Sequence, residues 1–175
     1  FMMKKALTEE LPFRDSILNI DFFLDEKPSS NISEFSKEFD SVESAKKLAL
    51  YLFNESLIAF GQDLKNEHQV MEMLADIFTD IYSAESAIIR TKKIMDSDNP
   101  IPTTKDISIV FISEMVGRII TKTHSILNTL YDGSVSEDII AKVSKFEKRM
   151  RLPVNAVQLK RNIAEYVFDQ KKYPY

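Results

Sequence analysis

The chain has 175 residues, 44% hydrophobic and 29% charged, with a net charge of −4. That is one domain's length with enough apolar side chains to bury a core, which excludes wholesale disorder. It has no Cys, which removes disulfides, thiolate zinc sites and cysteine nucleophiles. Only 3 Gly and 6 Pro occur, favouring long helices over a many-turned β-sandwich. No apolar run approaches the roughly 18 residues of a membrane span, and no signal-peptide pattern is visible. The expectation is a cytoplasmic protein. Phe1-Met2-Met3 reads as an expression scar or a cut inside a longer chain, and Lys-Lys-Tyr-Pro-Tyr resembles a natural terminus.

Charge is uneven. From Lys142 onward nine Lys/Arg stand against three Asp/Glu, a balance of +6, so the rest carries −10. The plain reading is that the two parts face each other or water. The sharper ones are an anionic membrane surface, which no motif supports, or the acidic face of a partner. Nucleic acid is disfavoured, because the basic segment lacks interleaved stacking aromatics.

Residues 1–31 read as an N-terminal arm or connector. Pro12 suits the first turn of a short helix through Phe13, Ile17, Ile20 and Leu24, and Lys27-Pro28-Ser29-Ser30-Asn31 breaks it. Residues 32–175 read as a helical bundle domain. A helix is predicted from about Ser33 to Phe60, with Phe35, Phe39, Val42, Ala49, Leu52, Phe53 and Leu57 inward and Gly61 as its stop. A second runs to about Met95, capped by Asn66 with Gln69 as its capping box. Val70, Leu74, Ile77, Phe78, Ile81 and Ile88 line its core face, and Ala75, Ala84 and Ala87 let a neighbour come close.

Two prolines in Asp96 to Pro102 turn the chain. The next helix spans Thr103 or Thr104 to Tyr131, with Ile109, Ile112, Val116, Ile119, Ile120, Thr123, Leu127 and Leu130 inward. Gly133 ends it. Ser134 and Glu137 form a second predicted capping box, for a helix to about Met150. Asn155 caps the last, which carries Leu159, Ile163, Val167 and Phe168 to about Lys171. The three long helices would each span roughly 40 Å. Short loops between them imply antiparallel neighbours: an all-α, up-down bundle of about four to five helices with an N-terminal helical arm.

Little chemistry is legible. Di-iron bundles need inward Glu-x-x-His pairs, but Lys65 and Thr121 precede the only histidines, His68 and His124, by three. Gly61, Gly117 and Gly133 are isolated, so no phosphate loop can be drawn, and no serine sits in a nucleophile elbow. No catalytic, cofactor-binding or metal-ligating residue is assigned. Glu85, Glu114 and Arg118 fall against their apolar patterns. Either Glu114 and Arg118 pair along their helix, or all three form a partly buried charge network. Asp76 and Asp80 repel at four-residue spacing. Solvation on an outer face explains that, and a basic patch from another helix or an absent body is the alternative. Met71, Met73, Phe78 and Met115 read as core rather than as a lipid pocket.

The pattern Leu74-Ala75-Asp76-x-x-x-Asp80-x-Tyr82-x-x-Glu85-Ser86-Ala87-x-x-Arg90 resembles the extra C-terminal helical domain of very-long-chain-type acyl-CoA dehydrogenases. The order of events adds to it: Glu-Leu-Pro ending at Pro12, Phe60-Gly61, the acidic Glu114, then Asn-Ile-Ala-Glu before Lys-Tyr-Pro. The resemblance implies a parent enzyme that uses FAD to oxidise an acyl-CoA at its α and β carbons. The glutamate base and flavin lie in portions not present here. This segment would then be non-catalytic, packing on the catalytic body and supporting a homodimer, with Asp76, Asp80, Tyr82 and Arg90 as the expected contacts. The alternative is a stand-alone helical interaction or ligand-binding module, in one version peripheral to membranes.

Overall fold

The computed structural model describes residues 19–25 and 35–171. Helix α1 is Ile20–Asp25 and α2 is Ser36–Phe60, followed by a 3-10 turn over Gly61–Asn66. Helices α3 (His68–Met95), α4 (Thr104–Leu130), α5 (Glu137–Met150) and α6 (Ala156–Gln170) complete the chain order. Among the described residues there are six α-helices and no strand, an all-α bundle. Pro12, Phe13, Ile17 and the expected break at 27–31 lie outside the described residues.

The core follows the helical period. Helix α2 contributes Val42, Ala45, Leu48, Ala49 and Leu52, all buried. Helix α3 adds Val70, Leu74, Ile77, Ile81, Ala84 and Ile88, and α4 adds Ile112, Met115, Val116, Ile119, Ile126 and Leu127. Val143, Phe146 and Met150 of α5 complete it. Helix α2 packs on α3, α4 and α5; α3 packs on α4, and α6 rests on α4. Each buried Val, Leu, Ile, Met or Phe among these contributes about 1.5–3 kcal/mol by leaving water. Phe78 departs from its predicted place and stands on the exposed rim of α3. Ala75 is also exposed, whereas Ala84 is fully buried. At Ala87 the helices do come close: Ser108 Oγ donates to its carbonyl at 3.4 Å.

Helix ends show where local chemistry won and where it did not. Gly61 adopts φ +53°, and its N–H caps the Leu57 carbonyl. Asn155 accepts from the Gln158 N–H at 3.1 Å, as expected of an N-cap. The other two predicted caps are displaced. Asn66 ends the 3-10 turn, which draws Leu64 wholly inside, and α3 starts at His68 without a side-chain cap bond. Ser134 is held in a turn, its N–H bonded to the Tyr131 carbonyl while Gly133 at φ +76° bonds back to Asn128. The helix therefore begins two residues later than predicted, with Ser136 Oγ accepting from the Ile139 N–H at 3.5 Å.

Several buried hydroxyls bond across the bundle, whereas that of Thr104 finds no partner among the described residues. Ser41 Oγ donates to the Met150 carbonyl at 2.6 Å, and the Thr91 and Ser108 hydroxyls share a 2.5 Å bond. Helix α1 docks through Ile20 and Leu24, both buried. Arg149 donates to the Phe23 carbonyl at 2.6 Å with its guanidinium 4.2 Å from that ring's centre. Asp21–Lys142 and Asp25–Lys145, each at 2.8 Å, tie acidic α1 to basic α5.

Candidate functional site

The charged residues singled out in the sequence are placed by α3 and α4, which lie side by side. Asp80 and Arg118 face each other across that seam. The Arg118 Nη2 to Asp80 Oδ1 distance is 2.7 Å, and Arg118 Nε donates at 3.1 Å to Oδ2. This two-pronged geometry is the strong form of a carboxylate–guanidinium pair. The hydrogen bond from Arg118 to Asp80 holds the guanidinium pKa above its ordinary value. One turn earlier on α3, Asp76 takes Lys122 Nζ at 2.9 Å. The two aspartates are thus not simply solvated: α4 supplies a cation to each.

Glu85, Glu114 and Arg118 do not converge. Glu85 points to the other flank of α3, where Lys46 of α2 meets it at 2.7 Å. Glu114 turns outward to Lys160 of α6 at 2.5 Å. Glu114 and Arg118 are four residues apart, and each is drawn to a different neighbouring helix. In place of either reading, the intrahelical Glu114–Arg118 pair or the single network, there are three pairs on three seams, α2–α3, α3–α4 and α4–α6. His124 Nε2 lies 2.7 Å from Glu147 Oε1, linking α4 to α5, and His68 is exposed.

Of the four residues expected to meet a catalytic body, Asp76 and Asp80 are engaged internally. Tyr82 is 73% exposed and Arg90 is also exposed. Phe78, Tyr82 and Ile89 are spaced by four and seven residues, so they share one outer stripe of α3. All three are exposed. Sequence reasoning missed Ile89 and assigned Phe78 to the core. An aromatic one position beyond Ile77 was the available signal, since a single residue's step rotates a side chain about 100° around the axis. The last helix differs more. No residue of α6 is buried, and Phe168, expected inward, is 82% exposed.

Glu114, Gly117, Arg118, Thr121 and Lys122 line a recess of about 480 Å³ along the outside of α4. A methyl added at Gly117 would meet nothing within 4 Å, so nothing in the described fold fills this face. The recess does not fit a flavin dinucleotide. It is an open surface groove on one helix, and Asp80 and Asp76 already neutralise its cations. Among the described residues no group of three or more His, Asp or Glu is placed to hold a metal ion. None of the described helices is long and apolar enough to cross a membrane.

Comparison with known proteins gives a consistent result. The chain is 25% identical over 177 residues to a probable acyl-CoA dehydrogenase of Bacillus subtilis (strain 168), covering 98% of this chain and 29% of that protein. A crystal structure of an acyl-CoA dehydrogenase complexed with FAD from Bacillus anthracis superposes with a TM-score of 0.84 at 22% identity. It covers 99% of this chain and 30% of that one. The chain therefore spans under a third of the length of these relatives. The model of the acyl-CoA dehydrogenase C-terminal domain matches residues 44–145, from within α2 to within α5. With more than half its length inside that match and an all-α fold to go with it, the chain belongs to the acyl-CoA dehydrogenase C-terminal domain family.

Proposed function

We propose that the chain is the non-catalytic C-terminal helical domain of an FAD-dependent, very-long-chain-type acyl-CoA dehydrogenase. It packs on the catalytic body and supports the homodimer. The observation that carries this reading is one of proportion: 98% of this chain aligns with 29% of a dehydrogenase. The α,β-dehydrogenation of an acyl-CoA and the flavin that accepts its electrons then belong to the preceding portion, and the setting is the cytoplasm. The architecture supports this division. Glu85, Asp80, Asp76, Glu114 and His124, the charged and titratable residues the sequence singled out on α3 and α4, go into pairs between helices, as scaffold residues do. Tyr82 and Arg90 are the α3 contacts offered to the body.

The test is the product of the whole reading frame that contains this chain. About 600 residues with flavin absorbance near 450 nm is the expected result, since this chain of 175 is 29% of its relative's length. A colourless product of 175 residues would overturn the reading.

A further inference from the structure

Helix α1 is too short to stand by itself. Its 6 residues fall well below the roughly 12 at which an isolated helix becomes marginal in water. Its two carboxylates, Asp21 and Asp25, stand four residues apart and repel. What holds it helical is its seat on α2 and α5. Ile20 and Leu24 are buried there, and Phe22 is 68% exposed on the far side.

Lysine and arginine side chains fasten this seat. Lys142 Nζ pairs with Asp21 and also lies 5.5 Å from the centre of the Tyr51 ring, while Lys145 Nζ pairs with Asp25. The Phe23 ring has the Arg149 guanidinium of α5 at 4.2 Å from its centre and Lys47 Nζ of α2 at 6.0 Å. Helix α1 therefore bridges the seam between those two helices. The fastenings differ in how water reaches them. The Asp21 and Asp25 side chains are 70% and 71% exposed, so dissolved salt screens their pairs. Ile20 and Leu24 are out of its reach.

We propose that α1 is an ion-latched strap, which leaves the α2–α5 seam and refolds onto it as a unit while the bundle behind it stays folded. Ionic strength then sets how firmly the chain ahead of the bundle is held against α5. Docking and helix formation are coupled in α1. Losing the lysine pairs removes the attraction and unmasks the Asp21–Asp25 repulsion, so undocking and unwinding reinforce each other. The seat does not need the strap. Helices α2 and α5 pack on each other directly, and the Ser41 bond to the Met150 carbonyl ties them together. The strap also accounts for part of the uneven charge: Lys142, Lys145 and Arg149 of the basic segment engage an acidic segment about 120 positions earlier. The proposal holds whether or not a catalytic portion precedes this chain.

The experiment follows amide hydrogen exchange of residues 20–25, including the Phe23 N–H that bonds to the Asn19 carbonyl at 2.9 Å. It is run at about 0.01 M and about 1 M sodium chloride, between which the Debye length falls from roughly 30 Å to 3 Å. Amides around Leu48 and Ile112, both fully buried, report on the bundle. The expected result is exchange in the strap about three- to tenfold faster at high salt, with the bundle amides unchanged. Asp21→Asn with Asp25→Asn should give the fast rate at either salt. Asp21→Lys with Asp25→Lys should be faster still at low salt, and adding Lys142→Glu with Lys145→Glu should restore the protection. A general loss of stability would not be rescued in this way. Equal exchange at both salts, in the unaltered chain and in the asparagine variant alike, would overturn the latch and leave Ile20 and Leu24 as the hold. Exchange of residues 20–25 at the rate of the Leu48 amides under every condition would overturn the strap, since α1 would then open only with the whole bundle.

Discussion

Gly117 sits in the middle of a 27-residue helix, on its exposed side, with open space where a side chain would be. Glycine there loses more conformational freedom on folding than alanine does. Gly117→Ala is therefore expected to stabilise the chain by about 1 kcal/mol in denaturant titration. Two tyrosines, Tyr131 half-buried and Tyr51 buried, give a second residue-level expectation. Burial raises the pKa of Tyr131 to about 12, with help from its 2.5 Å hydrogen bond to Glu55. Burial also raises that of Tyr51, against the ring of Phe146. A tyrosine in the unfolded chain ionises near 10. Between about 10 and 12 the unfolded state therefore holds fewer protons, and stability falls as pH rises through that window. Below it the contribution is intact. Tyr131→Phe should flatten the alkaline fall in melting temperature, at a cost near neutral pH of about 1 kcal/mol for the lost bond.

Between elements, the Asp80–Arg118 pair is the clearest single link from α3 to α4. Asp80 is 17% exposed and Arg118 41%. Asp80→Asn should cost up to about 1 kcal/mol, and less in high salt, because an ion pair open to water is screened. No change at low salt would mean the pair is merely drawn together by α3 and α4. The six helices and most of their limits were legible because apolar periodicity and Gly, Pro and Asn signals are local. What was not legible is rotational. Periodicity puts Phe78 beside Ile77 and Phe168 beside Val167, but the edge of the buried stripe depends on where the neighbouring helix lies. The partners of Glu85 and Glu114 were hidden for the same reason: Lys46 and Lys160 lie on other helices and leave no trace in local spacing. The caps at Asn66 and Ser134 were displaced by Leu64 burial and the Gly133 turn, where tertiary packing overrode a local motif.

For the molecule as a whole, α2 is one of two central helices: α3, α4 and α5 all pack on it, as α2, α3 and α6 do on α4. Leu48, fully buried, is the central residue of α2. Leu48→Ala should cost roughly 2–5 kcal/mol through lost burial and the cavity left behind. By the usual size scaling, that is a drop of about 10 °C in melting temperature. A loss below about 1 kcal/mol would show that the bundle collapses around the gap or that α2 is not central.

The bond from Ser41 to the Met150 carbonyl closes α2 onto α5 across 109 positions. During synthesis at about 5–20 residues per second, α2 therefore leaves the ribosome about 5–20 s before its last wall exists. The α2–α3 and α3–α4 contacts, between neighbours along the chain, can close before that wall arrives. For those seconds the flank of α2 that carries Tyr51 is an open apolar edge, and a transcript broken ahead of α5 would leave it so permanently. The hazard of this domain lies in the order in which its walls are made.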